Sequence, residues 1–402
     1  MRPIAVATLL ILVGPMSAGA QDLPKRPHLE SGADTNDAAA YYRFGTGTIS
    51  SDPAKAADAF YWATRLTPGN ADYLYARHVS ALMAMSNDDL SDYVGRSKKV
   101  MQMPKFAEVD SLLLRAYSIN PFLVRRFERV LLMREIEADV VHRNPGINRA
   151  ELNDYLIQYS SKLRSIGPFA ASEGRFAEAL KSYAEAIALD KKHAYSMHAE
   201  RGRIFFELGN PDSALAELRL AVDQMRNRDQ KEVVYVYESK AVYEQSIAMI
   251  FEKEGKPDSA REAYGRALEE DLSYYPAHYR LSMLDLAKGD TAGALSELDL
   301  ATQLATRSGT LRFTYAYALV RAGKDPEALE QLRQAVQLEP YYAAPYQLMG
   351  LIYDAHEQRT EAREAYAEYL SHASEHDPQL AWTKQRIGAL PAATASATPP
   401  KP

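Results

Sequence analysis

The side chains best suited to acid–base or metal chemistry in this chain are its carboxylates and histidines. Glu269, Glu270 and Asp271 are consecutive, and neighbouring carboxylates divide into an acid and a base when burial pushes their pKa values apart. They stand among other helix-surface charges, however, and read as a solvated face. His372 and His376 lie four apart with Asp377 adjacent, a spacing that puts two imidazoles on one helical face, as a metal site requires. A third ligand is not evident nearby, so no metal residue is assigned. His193 and His198, five apart, make a weaker case. Gly45-Thr46-Gly47 lacks the third glycine of a dinucleotide loop, and the phosphate-binding, GxSxG and HExxH motifs are absent. The chain has no cysteine, which removes zinc–thiolate sites, thiol nucleophiles and disulfides. These observations point to a protein that is not an enzyme and needs no cofactor.

The elements that carry these residues repeat. Ala260, Ala294, Ala328 and Ala362 head matching segments 34 residues apart. Four residues after each stands Tyr264, Leu298, Leu332 or Tyr366, and seven after it Ala267, Ala301, Ala335 or Tyr369; these offsets share one helical face. Five residues before the alanine comes Gly255, Gly289 or Gly323, with Glu357 in the fourth copy. A glycine there permits the left-handed backbone that ends a helix. Each unit is thus a helix, a tight turn and a second helix, with the small alanine letting the two approach closely. Glu339-Pro340 stops the second helix of the third unit.

These residues resemble the tetratricopeptide repeat family. The last unit matches its pattern with Tyr346, Met349-Gly350, Tyr353, Ala362 and Tyr366, and has Tyr369 in place of the usual alanine. Earlier copies run through Ile166-Gly167, Gly174, Ala179, Tyr183 and Ala186, then Gly202, Phe205, Gly209, Ala214, Leu218 and Ala221; Ala56, Phe60, Ala63 and Pro68 form a partial one. The resemblance implies an all-α solenoid of helical hairpins coiled into a right-handed superhelix. It also implies that first-helix positions two, five, nine and twelve line the concave groove. Here those positions carry Tyr279, Met283, Leu286, Phe313, Tyr317 and Val320, continued by Gln347 and Leu351, a stripe suited to gripping an extended or helical peptide. The competing reading packs these side chains on the neighbouring helix or under the C-terminal segment. The family's carboxylate-binding subclass is not matched, because its asparagines are missing where this chain has Gln245, Ser246 and Met249.

Residues 160–374 form the expected repeat array, and 38–159 divergent helical hairpins with one partial repeat. From Ala214 to Ala260 the interval is 46 residues, which implies an inserted polar loop over Arg226 to Glu232 and an extra helix before Ala241. Residues 375–390, with Leu380, Trp382 and Ile387, are expected to cap the array's last apolar face. Residues 21–37 read as a flexible lead and 391–402 as a disordered tail. Arg2, the apolar stretch Ile4 to Val13 and Ala18-Gly19-Ala20 have the form of a signal peptide cleaved after Ala20, which places the mature protein in the periplasm or outside the cell.

Charged residues are 25% and the formal net charge is −6, so no basic field attracts nucleic acid. No later segment is apolar enough to span a membrane. The function read from these features is a non-catalytic envelope scaffold for a protein or peptide partner. Its alternative is a polysaccharide-binding or export-complex subunit, in which exposed members of the 26 tyrosines stack on sugars.

Overall fold

The computed structural model describes residues 23–163, 166–191, 194–231 and 239–390. The proposed signal peptide and tail, and His193, lie outside them. Among the described residues there are 21 helices and no strand. The first eight are α1 (Ala38–Thr48), α2 (Pro53–Leu66), α3 (Ala71–Met83), α4 (Asn87–Gly95), α5 (Lys98–Met101), α6 (Pro104–Ile119), α7 (Glu128–Arg143) and α8 (Arg149–Leu163). The array follows as α9 (Gly167–Ser172) with α10 (Phe176–Leu189), α11 (Tyr195–Glu207) with α12 (Pro211–Lys231), and α13 (Ala241–Lys253) with α14 (Pro257–Glu270). It continues with α15 (Tyr275–Lys288) and α16 (Thr291–Leu304), α17 (Gly309–Arg321) and α18 (Asp325–Leu338), α19 (Ala343–Ala355) and α20 (Arg359–His372). The last helix, α21 (Leu380–Ala389), packs on α20.

Hairpins form where the repeated residues require them. Ala56, Ala179, Ala214, Ala260, Ala294, Ala328 and Ala362 are all fully buried between their paired helices, where a larger side chain would push the backbones apart. Gly255, Gly289 and Gly323 end first helices with φ between 70 and 83°. Glu357 holds the same left-handed turn at φ 56°, a conformation that costs a residue with Cβ about 1–2 kcal/mol. A second close approach lies within the hairpin: a Cβ on Gly202 would sit 2.9 Å from Leu218, and one on Gly350 would overlap the Tyr366 ring.

Three sequence expectations change. The run from Arg226 to Lys231 is not a loop but the end of α12, because its charges have partners: Arg226 reaches Glu244 at 2.9 Å and Glu270 at 3.2 Å, while Lys240 bridges Asp229 at 2.6 Å and Glu270 at 3.2 Å. After the α1–α2 hairpin the divergent region does not continue as sequential pairs, since α3 packs on both α2 and α6, and α4 packs on α7. One apolar cluster from Ile49 to Ala138 joins these helices.

The third change concerns residues 23–37, which pack instead of trailing. Trp62 Nε1 donates to the Pro24 carbonyl at 2.9 Å, Arg26 lies 4.3 Å over the Trp62 ring, and Leu29 is buried beside Tyr41 and Trp62. The same segment meets the far end of the array: Asn36 donates to the Ser371 carbonyl at 2.9 Å, and the Glu375 amide donates to the Asp34 carboxylate at 2.7 Å. Arg65 pairs with Glu339 at 2.7 Å, and the Trp62 and Tyr341 rings meet edge to face at 5.0 Å. The two ends of the described chain therefore touch, and the arc closes on itself.

Candidate functional site

The closure decides which of the expected groove residues remain available. The end of α6 and the turn after it lie over the first helices of the middle repeats. Gln245 donates to the Ser118 carbonyl at 2.9 Å, Ser118 and Tyr275 hydroxyls meet at 2.7 Å, and Arg203 donates to the Pro121 carbonyl at 2.9 Å. Phe122 stacks on Phe206 with ring centroids 3.7 Å apart. On α11 and α13 the groove face is thus covered by the protein's own N-terminal helices.

Beyond that cover, Met283, Tyr317 and Leu351 stay 40, 48 and 39% exposed. Each holds the ninth position of its first helix, on α15, α17 and α19, and they follow one another at the 34-residue period. Phe313 and Tyr279 are half-buried behind this row. The Phe313 ring meets Tyr342 edge to face at 5.6 Å, and burial pushes the Tyr342 hydroxyl up to about 12, so it stays protonated. Val320 packs on the cluster of Ala316, Leu319 and Leu332, and Gln347 is half-buried. Leu286 is not a groove residue: it is buried with Ala294, Leu298 and Ala318 inside its own hairpin and the next. Position twelve on α15 therefore faces the core, and the expected stripe narrows to a row of three with a half-buried floor.

Among the described residues seven tyrosines are buried and most of the others are half-buried. Tyr41, Tyr264, Tyr366 and Tyr369 are fully buried, as expected for aromatics that fill gaps between helices. Tyr155 and Tyr159 on α8 are exposed and stack on each other at 5.7 Å.

The side chains first considered for chemistry have structural settings. Glu270 is held by Arg226 and Lys240, as above. His376 does not share a helix face with His372, because the chain leaves α20 at Ala373 (ψ 138°). His372 lies against the Tyr341 and Tyr346 rings, and burial holds its pKa below the ordinary value. Two histidines instead lock hairpins: His198 Nδ1 lies 2.6 Å from Glu217, and His278 Nδ1 2.7 Å from Glu297, the same offset of 19 residues in two repeats. The Glu297 carboxylate raises the His278 pKa above its ordinary value.

In the divergent region the carboxyl of Glu135 is pushed up to about 7 by burial, with a further push from Glu128. The open cleft of about 500 Å³ beside it is lined by Met133, Arg134 and Glu137 and not by Glu135, so Glu135 is a stability group. Its folded pKa exceeds the ordinary 4.5, which means ionisation costs the folded state; the penalty is complete above pH 7 and vanishes as pH falls through 4.5. Glu135→Gln is expected to raise stability by about 1–3 kcal/mol at pH 8 and to have no effect at pH 4, which melting curves at the two pH values check.

No described helix is long and apolar enough to cross a membrane. Among curated proteins no sequence matches the chain. Solved structures that it resembles include the yeast Tom70 (14% identity, 88% of each chain, TM-score 0.43). YrrB, described as a TPR protein with an unusual peptide-binding site, shares 18% identity over 52% of this chain and 100% of its own, with a TM-score of 0.41. The C-terminal part of a TPR repeat-containing protein from Cytophaga hutchinsonii shares 15% over 51% of this chain and 77% of its own, at 0.42. Residues 169–229 and 246–308 match the tetratricopeptide repeat family, and the two matched stretches coincide with the hairpins from α9 to α16. Arrays of this kind are typically non-catalytic and bind protein partners. On the family match and the paired helices, residues 169–229 and 246–308 of the chain are tetratricopeptide repeats.

Proposed function

We propose that this protein is a scaffold of the cell envelope that grips a partner protein segment along the row Met283, Tyr317 and Leu351. The observation that carries this reading is the recurrence of an exposed apolar side chain at one position of three successive first helices. Folding leaves such side chains in water only at a cost in apolar surface, and a contiguous row of them marks a contact surface. With helix axes about 8–10 Å apart, three neighbouring first helices present a row of roughly 20 Å, the length of about six extended residues. The partner segment would carry apolar or aromatic side chains at intervals along that length. The envelope location rests on the leader-like residues Arg2, Ile4 to Val13 and Ala18 to Ala20.

The row can be tested by photo-crosslinking. A benzophenone side chain placed at 317 or 351 should trap the partner in native envelopes, and one at the exposed Leu300 of α16 should not. The variant Met283→Ala/Tyr317→Ala/Leu351→Ala should keep full helicity and lose about tenfold or more in affinity for the trapped partner; unchanged affinity would reject the row. The polysaccharide reading draws on the exposed, stacked Tyr155 and Tyr159, whose joint face is suited to a sugar ring, and oligosaccharide-dependent quenching of tyrosine emission would favour it.

A further inference from the structure

Where the N-terminal helices meet the array, three remote parts of the chain enclose a cavity of about 160 Å³. Pro68 and Gly69 contribute from the α2–α3 turn, Arg115, Ser118 and Ile119 from the end of α6, and Tyr275 to Arg280 and Ser308 to Thr314 from the starts of α15 and α17. Two arginines, Arg115 and Arg280, line it, and no carboxylate does. Arg280 is partly engaged, with Glu252 at 3.7 Å and the Ile119 carbonyl at 3.5 Å. Arg115 is half-buried, and among the described residues its guanidinium has no hydrogen-bond or ion-pair partner. Its field reaches Glu339, which is already paired with Arg65. A ligand anion on the cavity side would give this guanidinium the charged partner that the described residues do not supply.

The remaining lining selects what kind of anion fits. Ser308 caps α17 through its side chain, so the positive end of a 13-residue helix lies at the wall. Hydroxyls of Ser118, Tyr275 and Thr310 add hydrogen-bonding groups, while Pro68, Ile119, Leu311 and the Tyr279 ring supply apolar surface. A bare inorganic ion would leave that apolar surface unused. A cavity of roughly 150 Å³ holds a body the size of benzene, and a planar carboxylate matches the guanidinium fork.

We propose that this cavity binds a carboxylate carried on a compact apolar body of about benzene's size, with Arg115 and the start of α17 holding the anion and Ile119, Leu311 and Tyr279 enclosing the body. The site contains none of the three exposed residues of the partner row, sharing with it only Tyr279 of the half-buried floor, and does not depend on the row.

Isothermal titration of the full chain with benzoate, benzyl alcohol and inorganic phosphate tests this. Benzoate should saturate one site. Benzyl alcohol, which has the same body without the charge, should bind at least about tenfold more weakly, and Arg115→Gln should weaken benzoate by a similar factor. Thr314→Leu, which fills the cavity from α17 without touching a charge, should block benzoate, whereas Met283→Ala/Tyr317→Ala/Leu351→Ala should leave it unchanged. A short peptide ending in a free phenylalanine carboxylate, compared with its amide, separates a chain terminus from a free acid as the source; the tighter of peptide and benzoate identifies it. Absence of saturable benzoate binding, equal binding by Arg115→Gln, equal binding of benzyl alcohol, or phosphate binding tighter than benzoate would each overturn the proposal.

Discussion

Arg65→Met is expected to open the contact between the first hairpin and the C-terminal repeats and to cost about 3–5 kcal/mol, the range for breaking a buried ion pair from one side. Arg65 and Glu339 lie 2.7 Å apart at a place where both are largely buried, and the loss of the guanidinium strands a carboxylate with little access to water. The Glu339 carboxyl already sits above its ordinary value because burial outweighs the pull of Arg65, Arg115 and Arg77. Removing Arg65 pushes it higher still. The ionised form is then penalised at neutral pH, and the variant should recover as pH falls and the carboxyl takes up its proton. Two readouts follow from the geometry. Trp62 packs on Tyr341 beside the pair, so its emission should shift to longer wavelength, and solution scattering should show a larger radius of gyration. Adding Glu339→Leu removes the stranded charge and should restore both. A Trp62 spectrum and radius unchanged in Arg65→Met would show that the closure is held by something else.

Tyr366→Ala is expected to destabilise the C-terminal end by about 3–5 kcal/mol, as truncation of a buried aromatic does. The Tyr366 ring is fully buried against Gly350, where α19 and α20 cross, and meets the Trp382 ring edge to face at 5.9 Å. Its hydroxyl donates to Asp354 at 3.3 Å, and Asp354 also accepts two bonds from Arg386 of α21. One side chain therefore ties the last hairpin to the final helix. Because repeats contact mainly their neighbours, the loss should be felt first in α21. With Trp62 replaced by phenylalanine, Trp382 reports that end alone, and its emission should change at a lower denaturant concentration than the loss of total helicity. Coincident transitions would mean that closure has merged the array into one cooperative unit.

Much of the fold was legible because the repeat's determinants are local. An alanine that must be small, a glycine that must turn and an aromatic four residues on act within a single hairpin, and their spacing writes them directly into the chain. The packing of Leu286 and the position of His376 were less legible: Leu286 is buried by residues of the facing helix and the next hairpin, and His376 lies past the point where the chain leaves α20. The Arg226 to Lys231 run looked like a loop because the partners of Arg226 lie far along the chain. Its partners, Glu244 and Glu270, belong to the next hairpin.

By itself the sequence determined the helical hairpins and their 34-residue period, because each rests on helical periodicity and on steric limits within a few turns; the candidate groove row came from the resemblance to tetratricopeptide repeats. Tertiary structure alone decided that the N-terminal helices lie over α11, α13 and the start of α15, which leaves Met283, Tyr317 and Leu351 in water. Those contacts join loops and side chains from residues as far apart as Ser118 and Tyr275, and no periodic pattern records an encounter that happens once.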